Sequence, residues 1–201
     1  MAEAKLSGVS RETIADLKIY ERELRRWQKI KNLVAPSTLE HLWTRHFSDS
    51  AQLLALKPDA RRWADLGSGA GFPGLVMATL LKNVPGASVH LIESDHRKCA
   101  FLRETARALG APAIIHNARA EEVVSDLQDV EIVTARALAP LRDLLELAMP
   151  LLEKGAEGLF LKGQDVASEL TDDAIFSRVT LEFFPSITSE AARIVGAKLI
   201  C

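Results

Sequence analysis

The 201-residue chain is short of several things, and each shortage excludes a class of protein. It has two cysteines, Cys99 and Cys201, too few for a disulfide framework, so a reducing compartment is the expectation. No stretch reaches the roughly 18 uncharged apolar residues of a membrane span, and no integral membrane protein is expected. The opening MAEAKLSGVSRETIADL has no apolar segment of the signal-peptide kind, which leads to the expectation of a cytoplasmic location. Neither charge is in excess: 25 Lys and Arg stand against 27 Asp and Glu, a formal net charge of −2. A nucleic-acid partner would have to be held by a local patch. Internal repeats, low-complexity linkers, a nucleophile elbow and a Gly-Lys-Ser/Thr phosphate loop are all lacking. His41, His46, His90, His96 and His116 have no metal-ligand spacing with cysteine or carboxylate partners, so no metal is expected. Cys99 falls near the start of a helix and away from the expected ligand mouth. Trp27, Trp43 and Trp63 read as core residues.

What is present is 48% hydrophobic and 26% charged residues, the balance of a globule with a core. The length suits a single domain over 1–201, divided into a helical extension (1–57) and an α/β core (58–201). From about 10 to 56 the chain reads as helical, with Ser10 at a start and Leu17, Tyr20, Leu24 and Trp27 at three- and four-residue spacing. Lys18 to Lys31 carries six cations against two glutamates. That segment is either a candidate RNA-binding patch or a solvated helix face. Pro36-Ser37 opens a second helical segment.

After Lys57-Pro58, short apolar runs alternate with helical stretches. Strands are expected at 63–66, 89–93, 113–116, 130–135 and 158–161. Helices are expected at about 74–82, 98–109, 120–127, 141–152 and 166–173, and a final antiparallel pair at 179–184 and 192–200. This is the grammar of right-handed βαβ units, hence a doubly wound, mostly parallel seven-stranded α/β sheet, Rossmann-like, behind an N-terminal helical extension.

The first strand runs into Asp65-Leu66-Gly67-Ser68-Gly69-Ala70-Gly71-Phe72-Pro73-Gly74. Glycines between strand and helix let backbone N–H groups approach a ligand, and Pro73 suits a first helical turn. Residues 69–74 also satisfy the dinucleotide pattern G-x-G-x-x-G. Two carboxylates point elsewhere. Asp65 suits a ligand with a cationic amino-acid end and would repel a pyrophosphate. Glu93, ending the next strand, can accept both hydroxyl hydrogens of a ribose. A ribose, an aminoacyl end and no phosphate describe S-adenosylmethionine.

Asp-x-Gly-x-Gly-x-Gly with a strand-end acid resembles class I methyltransferases. More narrowly, the chain resembles the bacterial small-subunit ribosomal RNA guanine-N7 methyltransferases, the glucose-inhibited division protein B family. The resemblance covers most of the chain. It rests on Lys31-Asn32-Leu33-Val34, Arg45-His46-Phe47-Ser48-Asp49-Ser50, Gly71-Phe72-Pro73-Gly74, Arg97-Lys98 with Phe101-Leu102, Arg119-Ala120-Glu121, Ala135-Arg136-Ala137 and Leu161-Lys162-Gly163. It implies a cofactor held by Gly67, Ser68, Gly69, Gly71 and Phe72 in the loop, by Asp65 and Glu93, by Ala120 and Glu121 beside the adenine, and by Arg136. It implies further that Arg119, Arg136 and Lys162 line the mouth where methyl transfer occurs, and that Arg193 corresponds to a basic residue of the family's closing segment. The implied substrate is guanine 527 of 16S rRNA, presented by the RNA, the small ribosomal subunit or an assembly intermediate. A monomer is expected. Two other readings stay open at this point: a class I enzyme acting on a small molecule or protein, and an NAD-binding oxidoreductase or sensor.

Overall fold

The computed structural model describes residues 9–170 and 174–200. Its centre is a seven-stranded sheet in the order β3-β2-β1-β4-β5-β7-β6. The strands are β1 (Arg62–Leu66), β2 (Ser88–Glu93), β3 (Ala113–Asn117), β4 (Ile132–Arg136), β5 (Glu157–Lys162), β6 (Val179–Pro185) and β7 (Arg193–Leu199). The first five are parallel. β7 is antiparallel to both β5 and β6, as the expected closing pair requires. The chain order reverses between β1 and β4. Ligands in open α/β sheets bind at such a reversal, beyond the carboxyl ends of the strands.

Side-chain alternation along β1 divides the core. Trp63 joins the apolar cluster under α1 (Arg11–Gln28), α3 (Gly74–Leu80) and α4 (His96–Leu109), while Ala64 and Leu66 join the cluster under α6 (Leu141–Leu152) on the opposite face. Asp65 therefore points to the α3 face. α1 starts where expected: Ser10 Oγ accepts the Thr13 N–H at 3.1 Å. Its buried stripe Leu17, Tyr20 and Leu24 lies on α3 and α4.

Three expected helices differ. The segment after Pro36 is a 3-10 turn (Pro36–His41), then a π-helical turn (Trp43–Ser48), and only then α2 (Asp49–Leu56). The helix expected over 120–127 is the single turn α5 (Ala120–Val123). The helix expected over 166–173 is a 3-10 turn, Gln164–Glu169, and residues 171–173 lie outside the described part, as does Cys201. Among the described residues no helix is long and apolar enough to cross a membrane.

Candidate active site

The glycine loop follows β1 at the reversal and is braced from behind. The Tyr20 hydroxyl, on α1, donates to the Ala70 carbonyl. Gly71 sits at φ +88°, and a Cβ there would lie 2.3 Å from Tyr20 Oη, so this position needs both the backbone freedom and the missing side chain. Phe72 stacks on Tyr20 with ring centroids 5.4 Å apart and is 4% exposed. The Phe72 ring is thus packed into the core, and the contact with a cofactor expected at Phe72 would be made by its backbone. Ser68 is likewise turned inward, its hydroxyl donating to the Asp65 carbonyl at 3.0 Å.

Asp65 is the main correction to the sequence reading. Its carboxylate is fully buried and does not reach a cleft. It accepts the N–H of Gly74, the first residue of α3, at 3.1 Å and the Thr134 hydroxyl at 2.9 Å. Burial pushes its carboxyl up to about 6 against these hydrogen bonds. Any attraction it exerts on a cationic ligand passes through the loop.

Glu93 does stand at a cleft. This cleft, about 270 Å³, is lined by Gly67, Ile92, Glu93, Ser94, Lys98, Arg119, Ala120, Glu121 and Leu138 among others. Each carboxylate oxygen is fixed by one backbone N–H, from Gly69 (2.9 Å) and from Asp95 (2.8 Å). A carboxylate oxygen takes more than one hydrogen bond, so acceptor capacity remains for a diol. Cys99, expected to lie away from the mouth, is buried directly behind Glu93 and donates to its carbonyl at 3.1 Å. Gly67, Glu93, Arg119, Ala120 and Glu121 are brought together; Asp65, Ser68 and Phe72 support them from beneath. The acidic strand end and the open groove beside Gly67 fit an adenosine moiety.

A second, larger cleft of about 530 Å³ opens on the other side of Ala137. Arg45, His46, Asp49, Arg136, Lys162, Glu169 and Arg193 line it, with Ser186, Thr188 and Ser189 from the β6–β7 connection. Lys162 Nζ is bound to Glu169 (2.7 Å) and to the Ala139 carbonyl (3.0 Å). It holds the β4–α6 connection in place. Arg136, at the end of β4, is ion-paired with neither Asp65 nor Glu93. Its nearest carboxylate is instead Asp49, at 3.6 Å, and its guanidinium carbon lies 5.1 Å from the Phe72 ring centre.

The basic segment 18–31, on α1 and just beyond its end, is partly neutralised within the molecule. Arg25 pairs with Glu21, Arg26 with Glu23 and Glu104, and Lys31 with Asp95. These pairs favour the solvated-face reading there; the larger cleft gathers Arg45, Arg136, Lys162 and Arg193 with the carboxylates Asp49 and Glu169.

The family model described as "GidB: rRNA small subunit methyltransferase G" matches residues 13–195, nearly the whole described chain. The chain belongs to the GidB family. A Methylorubrum extorquens protein named "Ribosomal RNA small subunit methyltransferase G" is 55% identical over 187 residues, covering 93% of this chain and 89% of that protein. A Bradyrhizobium protein of the same name is 51% identical over 196 residues, covering 97% and 88%. Solved structures share the fold at low identity. A mutant of MtNAS in complex with S-adenosylmethionine gives a TM-score of 0.60 at 14% identity, covering 92% of this chain and 73% of that one. A Corynebacterium glutamicum protein gives 0.61 at 16%, covering 90% of each.

Within this GidB-family chain, the clefts are also lined by His46, Asp49, Thr38 and Leu138, which the sequence does not mark as site candidates. The first two sit inside the quoted Arg45–Ser50 segment, which marked the place but not the task. Leu138 is seated on Gly67: a Cβ at Gly67 would lie 2.6 Å from Leu138 Cδ1. No sequence signal ties those two positions together.

Proposed function

We propose that this protein transfers a methyl group from S-adenosylmethionine to N7 of a guanine in 16S rRNA, presented as RNA, small subunit or assembly intermediate. The observation that carries the reading is Glu93, a fixed carboxylate at the end of β2 facing a groove that begins at Gly67, in a chain of the GidB family. Glu93 would hold the ribose hydroxyls, Ala120 and Glu121 would edge the adenine, and the backbone of 67–72 would take the aminoacyl end. When bound, the cofactor supplies a sulfonium methyl to a ring nitrogen that already bears a lone pair and no proton. The chain therefore needs no general base, and its work is binding and orientation. Arg136 and the cations of the larger cleft would grip O6 or a phosphate of the acceptor, leaving N7 free, because a guanidinium fork on N7 would block the nucleophile. Asn/Asp-Pro-Pro-aromatic, the pattern used on exocyclic amines, is replaced after β4 by Thr134-Ala135-Arg136-Ala137.

Calorimetry with S-adenosylmethionine, S-adenosylhomocysteine and NAD tests the cofactor assignment. Binding of the first two and not the third is expected, with Glu93→Ala abolishing it. Tight NAD binding in the absence of S-adenosylmethionine binding would overturn the reading. Arg136→Ala is expected to lower both cofactor affinity and methyl transfer.

A further inference from the structure

Arg45–Ser50 spans the π-helical turn and the start of α2, and it meets the end of β4 across ninety residues of sequence. π-helical turns widen a helix locally and are frequent at functional sites. Here the turn and the first residue of α2 present three acceptors to one guanidinium. Arg136 Nη1 donates to the Arg45 carbonyl at 3.0 Å and lies 3.6 Å from Asp49 Oδ2, while Nη2 is 2.5 Å from His46 Nδ1.

The direction of that last bond can be worked out. A guanidinium has donors only, so His46 Nδ1 must carry a lone pair. His46 Nε2 lies 2.9 Å from Thr38 Oγ1. The single hydroxyl hydrogen of Thr38 is directed at the Ala35 carbonyl, 2.8 Å away. Thr38 Oγ1 therefore meets the ring as an acceptor, and Nε2 carries the hydrogen. Donation runs one way, from Arg136 to His46 to Thr38 to Ala35, and only one neutral tautomer satisfies it. An imidazolium would set N–H against N–H. Burial, then the Arg136 and Arg45 cations, hold the ring's pKa down at about 3. The ring is also clamped on Phe72, with centroids 4.7 Å apart. Besides Arg136 from β4, the charged groups around this cleft are Arg45 and Asp49 from its own segment and α2, Lys162 from β5, Glu169 beyond it and Arg193 from β7.

We propose that His46 is a positioning residue for methyl transfer: held as the Nε2–H tautomer by Thr38 and Arg136, it receives the guanidinium and fixes its orientation at the wall of the acceptor cleft. This rests on the reading that Arg136 meets the cofactor or the acceptor base. His46 itself takes no proton from the substrate and gives none.

The first test needs no variant in the measured state. Ring-nitrogen NMR of ¹⁵N-histidine protein, with His46 assigned by its loss in His46→Asn, is expected to show a neutral Nε2–H ring from pH 8 to pH 5. In Thr38→Val the Arg136 donor alone still fixes a lone pair on Nδ1, so the Nε2–H ring should persist, and mixed tautomers are expected only in the Thr38→Val/Arg136→Ala double variant. An Nδ1–H ring, or an imidazolium at pH 6, overturns the proposal. The second test is a kinetic cycle on methyl transfer to RNA. His46→Leu, which offers no acceptor, should lower kcat/KM about 10- to 100-fold, the worth of a hydrogen bond to a charged group. His46→Asn, whose side-chain oxygen can take the place of Nδ1, should recover most of it. The His46→Leu/Arg136→Ala double variant should be no worse than Arg136→Ala alone. Additive losses overturn the positioning role while leaving Arg136 in the site. Wild-type turnover by Arg136→Ala overturns the reading beneath it, and the proposal with it.

Discussion

Asp65 is held ionisable where no water reaches it. Its carboxylate caps the first N–H of α3 and takes the Thr134 hydroxyl, which suits a negative charge at a helix start. Burial outweighs both and raises its pKa to about 6. Between the ordinary aspartate value near 4 and that raised value, the native state holds a proton that the unfolded chain has released. The associated stability is complete below about pH 4 and is lost as pH rises through 6. Asp65→Asn keeps an oxygen for Gly74 and, with Thr134 turned to accept, a place for its amide. In thermal unfolding at pH 8 this variant is expected to exceed wild type by on the order of 2 kcal/mol, the gap closing toward pH 4. A less stable variant at pH 8 contradicts this account of Asp65. The residue was legible in the sequence as part of the loop but not in its direction. Strand alternation turns it toward α3, and the pattern of residue types between strand and helix does not say which face of β1 Asp65 occupies.

At the scale of elements, α2 acts as a strut for the β6–β7 connection. Asp49 Oδ1 accepts from Thr188 (2.7 Å), Ser186 (3.3 Å) and Gln52 (2.9 Å), while Gln52 Oε1 accepts the Ile187 N–H at 2.9 Å. The connection forms one wall of the larger cleft, so its order should matter to RNA and not to the cofactor. Gln52→Ala is expected to speed hydrogen exchange at the Ile187 amide and raise KM for RNA several-fold, with S-adenosylmethionine affinity unchanged. Unchanged exchange would show that the strut carries no load. The sequence marks this region as a second helical segment opened by Pro36-Ser37, without its helix type. Periodicity does not distinguish 3-10, α and π turns, which differ by one residue in their hydrogen-bond partner. Strands and the longer helices were legible because glycine, proline and charged residues punctuate the apolar runs. α5 and the turn after β5 were over-extended because nothing in their composition stops a helix where tertiary packing does.

Over the whole molecule, strand order turns local motifs into one site. The reversal between β1 and β4 sets the glycine loop beside Arg136, and the two clefts open on either side of Ala137. The strand alternation, the loop and the strand-end Glu93 made the fold and the cofactor groove legible in the sequence. The second cleft was not, because its walls come from residues near 45, 136, 162 and 188, joined only by folding. The same folding pairs cations of the 18–31 segment with nearby carboxylates, and in the cleft it pairs Lys162 with Glu169 and sets Arg136 beside Asp49. On the proposed function, these two clefts together bring a sulfonium methyl to N7 of one guanine. The direct measurement is incubation of the purified protein and isotopically labelled S-adenosylmethionine with small subunits from cells lacking this protein, followed by mass spectrometry of the 16S rRNA. A single labelled 7-methylguanosine at one site is predicted. Label on another atom or base, or none on any form of the RNA or subunit, would contradict the account.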